Sequence, residues 1–368
     1  MIASELFAPG GVQRVGRDVI DALTSGAASD AVPLVVWSLR DAATPGGGRE
    51  DYDVPAGAAV RFAAGSRVRL GSWAIARAVT RCDDTQVLLM HVHLAPIAAP
   101  MLLRGARVVV FLYGVEVWRP LTFVERFVLN RAARVIAISS YTAQRFRDVN
   151  RWFLGTIDVC PLGVAPESGA AGANLENPAS AANLALIVSR ICAEDRYKGH
   201  EPLIRAWAAV RTRVPDATLA IVGDGDDRPR LEALAAELAL DGAVRFIGRV
   251  SDRELSSWYA RCTLFVMPSP DEGFGLVFLE AMRAGKPCIG AAGAAAEVIV
   301  DGVTGTIVPS AEPPILADTI VDLFGDPVRL EQYGRNGRTR FLDRFTSAHF
   351  ADRIRRLCVR VHPEGEAA

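Results

Sequence analysis

Residues Thr263–Ala292, TLFVMPSPDEGFGLVFLEAMRAGKPCIGAA, constrain the fold more tightly than any other stretch of the chain. Thr263–Met267 is a short β-branched and apolar run of the kind buried in a parallel sheet. Pro268, Pro270 and Gly273 break it and place a loop at the strand's carboxyl end. Gly275–Ala284 has a helical pattern, with Leu276, Leu279 and Met282 on one face, and Gly285 and Pro287 stop it. Cys288–Ala292 reads as the next strand.

Glu272 and Glu280 frame this turn with seven residues between them. In an open α/β sheet, ligands bind beyond the carboxyl ends of the strands, so Glu272 points into the expected site. The turn Gly273-Phe274-Gly275 frees backbone N–H groups at a helix start, which favours an anion. A carboxylate beside an anion site suits a ligand with both phosphates and hydroxyls, such as a nucleotide-sugar. The alternative is a loop carboxylate that favours the helix dipole.

The stretch EGFGLVFLEAMRAGKPCIG resembles the spaced-glutamate signature of the retaining GT-B glycosyltransferases, in particular glycosyltransferase family 4. The likeness covers most of the chain and is clearest from Leu184 to Val308. It implies an α/β GT-B fold, with two Rossmann-like doubly wound parallel-sheet domains facing a cleft. It also implies that Glu272 contacts the transferred sugar and Glu280 the ribose.

A chain of 368 residues has room for about two domains. Formal charge is −1, which argues against nucleic acid as a partner. Residues 1–165 carry 18 arginines against 14 acids, and the rest carries 23 basic residues against 28 acids. Six scattered cysteines without Cys-x-x-Cys or clustered histidines fit reduced thiols and no metal site. Glu5 falls where a signal peptide needs an apolar core, and no apolar run is long enough to span a bilayer. The expected location is the cytoplasm, with peripheral contact at the inner face of the plasma membrane.

Gly10-Gly11 precedes a helix whose buried stripe is Val12, Val15, Val19 and Leu23, with Gly26 as its stop. The pair is a tight turn or a close-approach site. By resemblance, Gly11 meets donor phosphates and Gly10 the acceptor. Val32–Trp37 reads as a strand and Gly46–Asp53 as an exposed loop. Val60–Arg81 then carries five arginines, with no acid from Val54 to Cys82 and with Trp73 and Ile75 between them. Such a helix lies on an anionic bilayer or is a solvated face packed on one side.

Val87–His91 is expected as a strand, with His91-Val92-His93 at its carboxyl end and a proline-rich loop beyond. The resemblance assigns the residue facing the reacting sugar to His93, with His91 as the alternative. Arg107–Leu112 ends in Tyr113-Gly114, where many relatives have His-Gly. A role carried by that histidine does not transfer, and Tyr113 becomes a candidate acceptor contact. Ser139-Ser140-Tyr141-Thr142 caps a helix after the strand Val135–Ile138, and Ser139 is a further acceptor candidate by resemblance. Ile157–Pro161, ending in Gly163-Val164, is expected to close the first domain. Residues 166–183 have the composition of a linker.

From residue 184 to 345, strands and helices alternate as in a parallel, doubly wound sheet. Gly223-Asp224-Gly225-Asp226 is not a dinucleotide fingerprint, so NAD is not indicated. Arg190 lies at the end of the first strand here, and Lys198, one of only two lysines, lies in the loop beyond. A compact cation suits phosphate. The resemblance places both on the donor diphosphate, with Arg196 competing for the place of Lys198. Two charge-assisted contacts of about 1.5–3 kcal/mol each and about 1–2 kcal/mol from the helix terminus suffice for millimolar to micromolar affinity. Val250 and Leu276 are expected near the base, which is guanine or uracil.

The expected domains are thus 1–165 for the acceptor and 184–345 for the nucleotide-sugar, with a helix at about 346–368 crossing back to the first. The expected reaction moves a mannose- or glucose-type hexose from a GDP- or UDP-linked donor, with retention and without a metal or other cofactor. The expected acceptor is a lipid-linked saccharide in polysaccharide or glycolipid synthesis. The rivals are a transferase with a soluble acceptor and a nucleotide-sugar-binding module without turnover.

Overall fold

The computed structural model describes residues 1–8, 10–25, 33–42, 52–166 and 183–358. Gly26, nearly all of the Gly46–Asp53 loop and of the 166–183 linker, and the end of the expected last helix lie outside them. The chain divides into two compact units, Met1–Leu162 with Ser347–Ala368, and Gly163–Thr346.

The first unit is a parallel sheet of β1 (Ile2–Ala3), β2 (Leu34–Ser38), β3 (Ala58–Phe62), β4 (Gln86–Leu89), β5 (Arg107–Leu112), β6 (Arg134–Ala137) and β7 (Asp158–Val159). Their spatial order is β3-β2-β1-β4-β5-β6-β7. The helices are α1 (Gly11–Thr24), α2 (Arg67–Ala78), α3 (Ala95–Leu102), α4 (Phe123–Arg131) and α5 (Ser140–Val149). β4 and β5 are nearly continuous apolar runs because helices cover both faces of the sheet. One core cluster joins Leu70 and Ala74 of α2, Ala98 and Met101 of α3, and Val128 and Leu129 of α4.

The second unit holds β8 (Leu184–Val188), β9 (Thr218–Val222), β10 (Val244–Gly248), β11 (Leu264–Met267), β12 (Cys288–Ala291) and β13 (Gly305–Val308). They are parallel, in the order β10-β9-β8-β11-β12-β13. The helices are α6 (His200–Arg213), α7 (Arg228–Glu237), α8 (Asp252–Arg261), α9 (Leu276–Arg283), α10 (Ala295–Val298), α11 (Pro313–Phe324) and α12 (Pro327–Arg344). The last helix, α13 (Ser347–Cys358), packs on α1 in the first unit, where Arg355 donates to the Ala22 carbonyl at 2.9 Å.

Both sheets reverse the direction of winding once, between β1 and β4 in the first unit and between β8 and β11 in the second. At such a point neighbouring loops run in opposite directions and open a crevice beyond the carboxyl ends. The first crevice lies between the loops that follow β1 and β4, and the second between those that follow β8 and β11.

Several local expectations need correction. The stretch expected as one basic helix from Val60 to Arg81 begins in edge strand β3 and turns helical only at Arg67, where Ser66 caps α2. The proline-rich loop after His93 is helix α3, because Pro96 sits in the first turn, where no N–H is required. Strand β1 lies ahead of the first stretch the sequence assigns to an element. It has two residues, yet it is central, and the Met1 amino group donates to the Val35 carbonyl at 2.7 Å. Gly163-Val164 does not close the first unit: the Val164 N–H donates to the Phe345 carbonyl at 2.9 Å, inside the second.

Candidate functional site

In the second unit, β11 ends at Met267, and the loop that follows carries Glu272 to the crevice. Gly275 sits at φ +90° as the N-cap of α9 and offers no side-chain cap, so the first N–H groups of α9 are left to other partners. A side chain there would be strained, and a Cβ would lie 2.5 Å from the Phe278 ring.

On the other side of the crevice, β8 leads into Ser189 and Arg190, and a 3-10 turn, Ala193–Lys198, follows. The turn swings Lys198 back over the sheet edge. Its Nζ donates to Glu272 Oε2 at 2.5 Å, and both side chains keep only about a sixth of their exposure, 15% and 16%. The crevice thus brings together a cation and a carboxylate from loops 74 positions apart. Arg190 lies on the same loop but is largely exposed and reaches Asp195 at 2.9 Å.

Arg196, the competitor for Lys198, is engaged elsewhere. It bonds Asp227 at 2.9 Å, and Asp227 is also held by Arg230 at 2.7 and 2.8 Å. The Arg230 hydrogen bond, with Arg196 beside it, holds the Asp227 carboxyl down at about 2 against the opposing effect of burial. The Gly223–Asp227 turn is the seat of this loop: a Cβ on Gly223 would lie 1.9 Å from the Ser189 carbonyl oxygen. The Asp227 N–H donates to Ile191 at 3.0 Å.

Glu280 is buried on α9 and accepts a 2.9 Å hydrogen bond from the hydroxyl of Tyr259, which is itself enclosed. Leu276 and Val250 are half-buried, Val250 in the turn after edge strand β10. Phe274 lies between the two glycines of the turn. It is 2% exposed and packs edge-on against Phe345, so only its backbone is available. His200, at the start of α6, is buried with Nε2 3.0 Å from the Ser189 hydroxyl, and burial pushes its pKa down to about 4.

In the first unit, Gly10 and Gly11 are exposed at the start of α1, in the loop after β1. Asp41 steadies that loop by accepting from the Leu6 N–H at 2.7 Å and the Ser38 hydroxyl at 2.6 Å. His91 and His93 follow β4, with rings stacked 4.7 Å apart. His91 Nδ1 accepts from the His93 N–H at 3.3 Å, and burial, followed by the neighbouring His93, lowers its pKa to about 4. The His93 side chain is 52% exposed, and its Nδ1 lies 3.0 Å from Glu125 Oε1 and 2.8 Å from Arg119 Nη2. Burial alone would raise the Glu125 pKa, but the Arg119 and Thr122 hydrogen bonds hold it at about 2.

The two remaining acceptor candidates are not at the surface. Ser139 is wholly buried, and its hydroxyl accepts from the Thr142 N–H at 2.9 Å as the cap of α5. Tyr113 is 6% exposed, and its hydroxyl has no hydrogen-bond partner among the described residues. Both follow interior strands, Tyr113 after β5 and Ser139 two residues after the end of β6.

The sequence reading passed over Tyr259, Asp227, Asp41, Arg119 and Glu125. Only Glu125 carried a local signal, the Thr122-x-x-Glu125 capping box. Each of the others has at least one partner distant in sequence: Glu280 for Tyr259, Arg196 for Asp227, Leu6 for Asp41 and His93 for Arg119.

Residues 9–168 match the family model described as Glycosyltransferase Family 4, and residues 182–326 match Glycosyl transferases group 1. The chain is 33% identical over 264 residues to a Mycobacterium tuberculosis protein, the GDP-mannose-dependent alpha-(1-6)-phosphatidylinositol monomannoside mannosyltransferase; 67% of this chain and 68% of that protein align. It is 37% identical over 154 residues to the protein of that name from Mycolicibacterium smegmatis, spanning only 40% of either. Among solved structures, Anabaena HepE in complex with UDP and glucose superposes with a TM-score of 0.74 at 20% identity, over 96% of this chain and 97% of that one. That likeness concerns the fold, in which two Rossmann-like parallel-sheet units make a GT-B architecture. With both units matched in turn and two thirds of the M. tuberculosis protein aligned, the chain belongs to glycosyltransferase family 4.

Proposed function

We propose that the protein is a retaining hexosyltransferase that moves mannose from GDP-mannose to a glycolipid acceptor at an anionic membrane surface. The single observation that carries this reading is the enclosed contact between Lys198 and Glu272 at the β8–β11 crevice. It sets a cation beside a carboxylate, a pairing that suits the phosphates and hydroxyls of a nucleotide-sugar.

In this reading residues 184–345 bind the donor and 1–165 the acceptor. Lys198, Arg190 and the turn Gly273–Gly275 at the start of α9 take the diphosphate, with Gly11 near the phosphates. Arg190 leaves Asp195 to do so. Their charge stabilises the leaving group as the bond from the anomeric carbon to the phosphate oxygen breaks. Glu272 holds sugar hydroxyls and Glu280, oriented by Tyr259, holds the ribose. Val250 and Leu276 flank the base. His93 faces the reacting carbon, and Gly10 lies on the acceptor side. The acceptor oxygen attacks from the face that the phosphate leaves, and its proton passes to the departing phosphate oxygen. Retention follows without a nucleophilic carboxylate. The charge for the diphosphate comes from the two side chains, so no metal is assigned.

The mannosyl donor and lipid acceptor are drawn from the names of the mycobacterial relatives. The face of α2 supports the membrane. Val68, Ile75 and Val79 lie along one exposed stripe, with Val68 at 83%, and Arg67 and Arg69 flank it. No described helix is long and apolar enough to cross a membrane.

The test is transfer from GDP-mannose, with UDP-glucose in parallel, to phosphatidylinositol mannoside in anionic vesicles, with and without EDTA. The expected product is an α-linked mannolipid that forms equally in EDTA. A β-linked product, a requirement for a divalent ion, or donor binding without any product would overturn the respective part of the reading.

A further inference from the structure

Glu125 makes more bonds than its helix cap requires. The Thr122 N–H and hydroxyl donate to Oε2 at 2.8 and 2.9 Å, and the Glu125 N–H returns to the Thr122 hydroxyl at 3.4 Å. That closes the capping box of α4 through one carboxylate oxygen. The other oxygen, Oε1, faces Arg119 Nη2 at 2.7 Å and His93 Nδ1 at 3.0 Å, and Glu125 is only 3% exposed.

These three groups form a closed triangle, since Arg119 Nη2 also lies 2.8 Å from His93 Nδ1. A ring nitrogen either donates or accepts, whereas guanidinium only donates and an ionised carboxylate oxygen accepts from two donors. The backbone around Arg119 is pinned by fully buried Asn150, which donates to the Val117 and Arg119 carbonyls at 3.1 and 3.0 Å. It also accepts from the Leu121 N–H at 3.2 Å.

We infer that Glu125 is a positioning residue for His93: Oε1 accepts from both Arg119 Nη2 and His93 Nδ1–H, which leaves the unprotonated Nε2 as the nitrogen presented at the crevice. An Nε2 lone pair accepts from a hydroxyl and repels a phosphate oxygen. The ring is therefore set to read a sugar hydroxyl, not the diphosphate. The inference rests on the proposed place of His93 beside the transferred sugar and adds which atom does the reading.

The decisive variant is Glu125→Gln. Glutamine closes a capping box through its carbonyl oxygen, so the helix is kept. Its amide N–H₂ then faces Nδ1, which has to become the acceptor and pass its proton to Nε2. It also faces Arg119 Nη2, donor against donor, so that Arg119 keeps only its Nη1 contact with the remaining oxygen, 3.1 Å in the wild type. The full chain is labelled with ring-¹⁵N histidine, its five histidines assigned by substitution, and examined by NMR at neutral pH. The wild type is expected as the Nδ1–H tautomer and Glu125→Gln as Nε2–H. kcat is expected to fall about 10-fold or more, the scale of one charge-assisted hydrogen bond, with the donor KM within about twofold. The same tautomer in both proteins, or Nε2–H in the wild type, overturns the inference. An unchanged kcat also overturns it if His93→Ala, assayed in parallel, is impaired. If His93→Ala is unimpaired too, the placing of His93 has failed instead, and the spectra alone uphold or overturn the hold of Glu125 on the ring.

Discussion

Replacing Lys198 by methionine keeps an apolar stem of similar length and removes the charge that meets Glu272. Breaking a fully enclosed ion pair by deleting one partner costs about 3–5 kcal/mol, because the other charge is stranded. Here the two side chains retain 15% and 16% of their exposure, so water relieves part of the penalty and we expect about 2–3 kcal/mol. In a unit of this size each kcal/mol moves Tm by about 2–4 °C, which gives a fall of about 4–12 °C in a thermal scan. Catalysis suffers separately. A lost phosphate contact of about 1.5–3 kcal/mol lowers kcat/KM for the donor about 10–100-fold. The double variant Lys198→Met/Glu272→Gln separates the two effects. It removes the stranded charge and recovers at least half of the lost Tm, while transfer from GDP-mannose stays as low as in the single variant or lower. A single variant with Tm within about 1 °C and kcat/KM within about twofold of the wild type would refute both the burial and the phosphate contact.

Tyr259→Phe removes the hydroxyl that orients Glu280, and calorimetry should show GDP bound about 3–10-fold more weakly. The same variant should leave 2′,3′-dideoxy-GDP binding unchanged, and an equal loss for both nucleotides would contradict the ribose role. A pH prediction comes from His200, held at about 4 in the fold against an ordinary value of 6.5. The unfolded chain takes up this proton first, so the contribution of His200 is complete above about 6.5 and is lost as pH falls towards about 4. His91 has the same sign, whereas Asp18, raised by burial to about 6, opposes both. His200→Gln should therefore show a smaller fall in Tm between pH 7 and pH 5 than the wild type, and an equal fall would mean that His200 is protonated in the fold. Finally, Val68→Glu/Ile75→Glu should abolish co-flotation with anionic vesicles while leaving donor binding intact; flotation unaffected by the pair would place the membrane contact elsewhere.

Where the sequence was informative, short-range chemistry was enough. The strand, proline-rich loop, glycine turn and helix of Leu264–Arg283 lie within a residue or two of their expected positions, because each boundary is set by residues that forbid the alternative. Two-residue strand β1 left no periodic trace, and helix α3 was disguised by Pro96, which a first turn accommodates, and by Pro100, which lies inside the helix. Phe274 and Ser139 sit in motifs that look functional, and their burial depends on what packs above them.

By itself the sequence determined the alternation of strand and helix, the two parallel sheets that follow from it, and a glycine-led helix start between spaced glutamates. All of these depend on neighbours within a few residues. The tertiary structure alone decided which of the nearby cations meets Glu272, that Arg196 is tied to Asp227, and that Glu125 grips His93 across 32 positions. The first pairing arises where the sheet reverses its winding between β8 and β11, and the other two join segments that follow neighbouring strands, β8 with β9 and β4 with β5; no spacing within the chain encodes those meetings.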